Sequence, residues 1–216
     1  MLVQIGQILD HLISSSFTKM PYAVAKEYLT LKHKDKPPRE YLFEHEIESM
    51  LKACSQTQNT IRNRTLILLT YRHGFRAGEI CNLKWSQIDY TTNRIHVNRQ
   101  KGGVDSVHPI RDREIRLLKQ LYGQRISGSP YVFHTNRGTK FTVAAFQKMI
   151  SMIAEKAKLD IPMVHPHMLR HSTGYKLAND KVDTRTIQDY LGHANINNTV
   201  IYTKLASNRF DNLFLD

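Results

Sequence analysis

Leu66 to Leu69 are apolar in unbroken succession, within a helical stretch that runs into Gly74. A helix that is apolar all round has no face to offer to water, so it belongs at the centre of a core. The chain must therefore wrap other elements around this segment, and most of what it supplies is helical. Ile47, Met50, Leu51 and Cys54 recur at i, i+3, i+4 and i+7, the apolar stripe of an amphipathic helix. After Gly74 a second helix starts near Arg76 and carries Glu79, Ile80 and Leu83. Further helices are expected over 112–122 and over 142–157, the latter with Val143, Phe146, Ile150 and Ile153 on one face. Pro166 suits a first helical turn, opening a helix that continues to about Ala178. Asp183 is placed to cap a helix that Gly192 ends, and Asn198 to cap the last one, which carries Tyr202.

One region has a different period. From Arg94 to Gln100 the residues alternate, with Ile95 and Val97 on one face and Arg94, His96 and Asn98 on the other. Lys101-Gly102-Gly103 then gives a turn signal, and Val107 to Ile110 return as a second strand. The expected fold class is mainly α with one small antiparallel β-hairpin (α+β).

Residues 1–40 read as a weaker, separate piece. Leu2, Ile5, Ile8, Leu9 and Leu12 follow helical spacing, and a second short helix is expected from about Tyr22 to Leu31. The charged run Lys32 to Lys36 ends in Pro37-Pro38, a linker signature. Residues 41–216 form the main domain, ending in an apolar tail of Phe210, Leu213, Phe214 and Leu215.

Charge narrows the partner. With 31 Lys+Arg against 19 Asp+Glu, the net charge of +12 favours a polyanion, nucleic acid before an anionic membrane surface. No apolar run approaches the roughly 20 residues that span a bilayer. Met1 to Asp10 lack the features of a signal peptide, so a cytoplasmic location is expected. Cys54 and Cys81 lie in apolar stretches and read as reduced, packed thiols.

Cutting DNA without a metal requires a side-chain nucleophile, fixed positive donors around the phosphoryl oxygens, and groups that move protons. Arginine suits the clamp because its planar fork binds two oxygens and stays charged. The chain carries such parts at Gly74-Phe75-Arg76-Ala77-Gly78-Glu79, His167-Met168-Leu169-Arg170-His171, Leu191-Gly192-His193 and Thr199-Val200-Ile201-Tyr202. In order and spacing these segments resemble the motifs of the tyrosine recombinases of the phage integrase family, over about Tyr41 to Lys204. The wording of the last two regions is similar to the small recombinases that invert fimbrial promoter segments.

The resemblance implies the catalytic-domain fold of that family and a site-specific exchange of DNA strands through a 3′-phosphotyrosine, giving integration, excision or inversion. Arg76 and Arg170 would clamp the scissile phosphate, and His193 would bond a non-bridging oxygen. His167 would accept the proton of Tyr202, the nucleophile, and Lys101 would protonate the departing 5′ oxygen. Glu79 would support the site from behind. It also implies double-stranded DNA as partner, a tetramer assembled on it, DNA-bending accessory proteins, association with the nucleoid, and no cofactor. Arg94, Arg99, Arg111, Arg137 and Lys140, on or near the hairpin and its following loops, are candidate DNA contacts; solvation is their ordinary alternative.

Each site residue has a plainer reading in isolation. A lone arginine pairs a surface carboxylate, and a lone tyrosine fills a core. His165, His167 and His171 invite a metal, but no H-E-x-x-H glutamate or matching third ligand accompanies them, so no metal is expected. His171 reads as structural. Two other functions stay open: a DNA-binding regulator with weak activity, and a type IB topoisomerase-like nicking-closing enzyme. Many relatives carry a substantial N-terminal clamp domain, whereas about 40 residues precede the catalytic region here. Gripping one face of the duplex, reliance on partners, or a shortened form is the expectation that follows.

Overall fold

The computed structural model describes residues 39–100, 102–135 and 137–206. The expectations for the N-terminal extension, Lys101 and the apolar tail lie outside these residues. Helix α1 spans Glu44–Ala53 and buries Ile47, Met50 and Leu51, with Cys54 following in a 3-10 turn. Helix α2, Thr60–His73, is the central one: Leu66, Ile67, Leu68 and Leu69 are all buried, as an all-apolar segment demands. It packs against helix α4 (Asp112–Gly123) and helix α6 (Pro166–Asn179). The short helix α3, Ala77–Cys81, leaves the end of α2 across Gly74.

Gly74 is in the left-handed region at φ 59°, and a Cβ there would lie 2.4 Å from Leu191 Cδ2. Glycine is required on both counts, since a side chain is strained at that φ and has no room.

The sheet is antiparallel in the order β1-β2-β3, with β1 at Ile88–Asp89, β2 at Arg94–Val97 and β3 at Ser106–Pro109. Ile95 pairs with His108 and Val97 with Ser106. Two details differ from the sequence reading. β1 is a third strand, too short to show an alternation, whose Asp89 Oδ1 accepts from the Thr91 amide at 2.8 Å in the turn to β2. β2 also ends at Val97 rather than Gln100, while the turn signal holds in the connection to β3: the Gly103 amide donates to the Gln100 carbonyl at 3.3 Å and Gly102 is at φ 71°.

Helix α5, Val143–Lys156, buries Phe146, Ile150 and Ile153, but Val143 is exposed because the helix begins there, beyond the packed surface. Helix α7, Thr184–Leu191, is capped by Asp183, whose Oδ1 accepts from Arg185 and Thr186 amides at 3.0 and 2.9 Å. It ends on Gly192 at φ 65°. Helix α8 spans Asn197–Leu205, so Asn198 is inside it; Asn195 Oδ1 instead accepts from the Asn197 amide at 2.9 Å. Tyr202 belongs to a second, smaller cluster with Ala178, Ile187, Leu191 and Ala206.

Candidate active site

Two helix ends build the site. The last carbonyls of a helix have no partner within it and carry the negative end of its dipole. At the end of α2, the Gly74 carbonyl accepts from Arg99 Nη1 at 3.0 Å and from Arg170 Nη1, while the His73 carbonyl accepts from Arg99 Nη2 at 3.0 Å. At the end of α7, Arg170 Nη2 donates to the Leu191 carbonyl at 2.7 Å and Arg99 Nη2 to the Tyr190 carbonyl at 2.6 Å. The two left-handed glycines turn the chain so that these carbonyls converge on two buried guanidiniums.

Glu79 ties the arginines together. Its Oε1 accepts from Arg76 Nη1 at 2.6 Å and its Oε2 from Arg99 Nη1 at 3.0 Å. Burial alone would raise its pKa. The amides of Arg76 and Gln100 and the two guanidiniums outweigh that and hold the carboxyl below its ordinary range. Arg76 keeps a side chain 23% exposed, whereas that of Arg99 is 0% exposed. Arg99, a candidate DNA contact, thus has its fork turned into the protein, with both Nη atoms donating to internal acceptors. Its place was legible in the alternation, because Arg99 continues past the end of β2 the every-other-residue burial of Ile95 and Val97. Arg94, Arg111, Arg137 and Lys140 are exposed.

Arg170 is buried on α6 beside these groups. Burial, then the nearby charges of Arg99 and Arg76, lower its pKa to about 9, so it remains protonated at neutral pH. Three guanidiniums against one carboxylate leave the cluster positive, as a phosphate site requires. His193 follows Gly192 directly, and its Nδ1 hydrogen-bonds Thr199 Oγ1 at 2.8 Å. Desolvation and the cationic Arg170 and Arg76 lower its pKa to about 3, so it is neutral.

Tyr202 is only 3% exposed, and its ring lies parallel to that of His193 at 6.3 Å between centroids. Burial raises its phenol to about 12, although Arg170 and Arg76 pull the other way. The phenol oxygen is hydrogen-bonded to His171 Nδ1 at 2.8 Å. His171, read from the sequence as structural, therefore touches the Tyr202 hydroxyl. His167, to which the resemblance gave the proton-accepting duty, lies one turn away with its ring 4.4 Å from that of His171. His165 is 3.4 Å from Glu40. Among the described residues no three His, Cys, Asp or Glu side chains gather as a metal site.

The Tyr202 ring rests on Gly174, where a Cβ would lie 2.6–2.7 Å from three ring carbons. Gly174→Ala is expected to push the phenol off its seat and cut covalent adduct formation at least about tenfold, a 1.4 kcal/mol effect on the barrier. Single-turnover adduct kinetics beside a melting curve check this; an unchanged rate would mean that the seat is not needed.

Behind β3 lies a second buried network. Glu114 Oε1 accepts from His73 Nε2 at 2.8 Å. His73 Nδ1 and His108 Nδ1 share a hydrogen bond at 3.2 Å, and His108 Nε2 and Ser106 Oγ share one at 2.8 Å. Desolvation, with His73 and Arg99 nearby, lowers His108 to about 3. His108, His171 and His193 are thus neutral in the folded protein at pH values where the unfolded chain protonates them. The unfolded state then binds more protons between about pH 6.5 and 4, so stability falls as pH drops through that window. The expected limit is about 1.4 kcal/mol per pH unit for each such histidine. Urea denaturation at pH 7, 6 and 5 tests it; a flat midpoint over that range would contradict neutral burial.

Comparison with known proteins decides the family. The model of the phage integrase family matches residues 40–209.

The chain is a member of the phage integrase family.

Within that family, the chain is 43% identical over 180 residues to the type 1 fimbriae regulatory protein FimB of Escherichia coli K12, covering 82% of this chain and 90% of FimB. It is similar in structure to the XerA recombinase, with a TM-score of 0.70 and 29% identity over 82% of this chain and 63% of that one. The XerH site-specific recombinase bound to palindromic difH substrate in a post-cleavage complex gives a TM-score of 0.70 and 25% identity, covering 82% of this chain and 52% of XerH. As a phage integrase family member, the chain has the fold class expected, a helical catalytic domain with one small antiparallel sheet.

Proposed function

We infer that this family member is a site-specific tyrosine recombinase, cutting and rejoining double-stranded DNA through a phosphotyrosine. The observation that carries this is Tyr202, buried within the electrostatic reach of Arg170 and Arg76 and parallel to His193. Arg170 and Arg76 bring positive charge to a buried phenol, which is what attack on a phosphodiester needs. Arg76 and Arg170 neutralise the phosphoryl oxygens as charge builds, and Arg170 retains three of its five N–H donors beyond the two given to carbonyls. His193, fixed through Thr199, presents Nε2 to a non-bridging oxygen. His167, exposed at the cluster, faces the incoming strand, and Lys101 protonates the 5′ oxygen as it leaves. Arg170 and Tyr202 are 1% and 3% exposed, so a duplex reaches them only where the cluster opens to it.

Arg94, Arg111, Arg137 and Lys140 serve as phosphate contacts, which makes binding weaken with salt at a log–log slope near −0.9 for each phosphate neutralised. The enzyme works at the nucleoid in the cytoplasm, as a tetramer with DNA-bending partners. The resemblance of residues 165–177 and 183–202 to the small recombinases that invert fimbrial promoter segments favours inversion among the outcomes. The test uses a supercoiled plasmid with two inverted copies of a sequence that the protein selects from random duplexes. Inversion of the intervening segment in the presence of chelator supports the reading; tight binding with an unaltered plasmid overturns it.

A further inference from the structure

Tyr202 needs a proton acceptor, and helix α6 meets it with a histidine at its hydroxyl, a glycine under its ring and a second histidine packed behind the first. His171 Nδ1 lies 2.8 Å from the phenol oxygen. Gly174, three residues on and so on the same helix face, leaves the space that the Tyr202 ring fills. His167 packs edge-on against His171 from the preceding turn, with the rings at 83°. Among the described residues the phenol's hydrogen bond runs to His171, whereas His193 uses its Nδ1 on Thr199.

We propose that His171 is a catalytic residue, the acceptor of the Tyr202 proton in strand cleavage. This rests on the recombinase reading. The phenol donates to a neutral imidazole whose Nδ1 is bare and whose proton is on Nε2. As Tyr202 Oη bonds to phosphorus, its O–H bond breaks and the proton passes to His171 Nδ1. The bond from phosphorus to the 5′ oxygen breaks, and that oxygen takes a proton from Lys101. In rejoining, the 5′ hydroxyl attacks phosphorus, Lys101 recovers its proton, and His171 returns its own to the departing phenolate.

The charged surroundings set when this happens. Arg170, His165 and His167 on α6 or just before it, His193 after α7, Arg76 before α3 and Tyr202 on α8 all face this corner. With desolvation and then Arg170 and His165 acting on it, His171 is held down to about 4, a weak base. A bound phosphate adds negative charge opposite those cations and strengthens the base as the substrate arrives.

The experiment measures single-turnover adduct formation between pH 7 and 9 on a nicked duplex of the sequence that the protein selects from random DNA. His171→Asn keeps an oxygen that accepts the phenol's hydrogen bond but cannot take its proton. Its adduct rate is expected to fall about 100-fold at pH 7 and then to rise about tenfold per pH unit, because the phenol must ionise to solvent. The wild-type rate stays flat, and His167→Asn lowers the rate while keeping the flat profile. His171→Gln and melting curves guard against a misfolded variant. A His171→Asn rate within about threefold of wild type, with a flat profile, overturns the role of His171 and leaves the recombinase reading intact. Failure of the wild-type protein to form any adduct overturns the recombinase reading, and this inference with it.

Discussion

Tyr202→Phe yields a protein that folds, binds its DNA and forms no covalent adduct with it. The ring of phenylalanine fills the same space over Gly174 and keeps the parallel placement beside His193. What is lost is the phenol oxygen and its hydrogen bond to His171, worth about 1 kcal/mol of stability. No other residue can take over the attack, since the nucleophile is the one group whose removal leaves no bond to form. The expected drop in adduct formation is about 10⁴-fold or more, against a shift in melting temperature of a few degrees. Adduct on a nicked duplex, resolved on a denaturing gel, measures the first; thermal unfolding of the same preparation measures the second. Equal adduct from wild type and variant would place the nucleophile elsewhere.

Arg99→Met has its largest effect on folding. The arginine is paired to a fully buried carboxylate and donates to three backbone carbonyls, those of His73, Gly74 and Tyr190. Removing it leaves Glu79 short of a counter-charge and the ends of α2 and α7 short of donors. Breaking one side of a buried ion pair costs about 3–5 kcal/mol, a large share of a domain's net stability. Arg99→Lys is expected to restore little of this, because an ammonium cannot reach four oxygens with a planar fork. Arg94→Ala, at an exposed position, should change stability by no more than about 0.5 kcal/mol. Urea denaturation compares the three. Unchanged stability in Arg99→Met, together with a shallower salt dependence of DNA binding, would make Arg99 a phosphate contact after all.

These two residues also mark how far the sequence could be read. Helices declared themselves where one face carried the apolar residues, as in Ile47, Met50 and Leu51, or where an all-apolar run left no alternative, as in Leu66 to Leu69. The arginines, the second histidine and the tyrosine of the site were legible because family motifs keep their order along the chain. Side-chain partnership was not legible in that way. The alternation of β2 carried enough to bury Arg99, but its charge argued for the surface; the fold resolves the conflict by placing Glu79 and two helix ends beside it. His171 carries no signal that distinguishes a packed histidine from one touching the phenol, because that contact depends on where α8 crosses α6, 31 residues away in sequence. β1 escaped notice because two residues cannot display a period. Asn195 rather than Asn198 at the start of α8 is a matter of local turn geometry, which composition does not specify.

The account as a whole stands on one covalent bond. The protein is incubated with a nicked duplex of the sequence it selects, in chelator, and the adduct is digested to a nucleotide-bearing peptide for fragmentation by mass spectrometry. The account predicts a single modified residue, Tyr202, carrying a 3′-linked phosphate. A duplex cut without any protein-bound phosphate, or a phosphate mapped to another side chain, would contradict it.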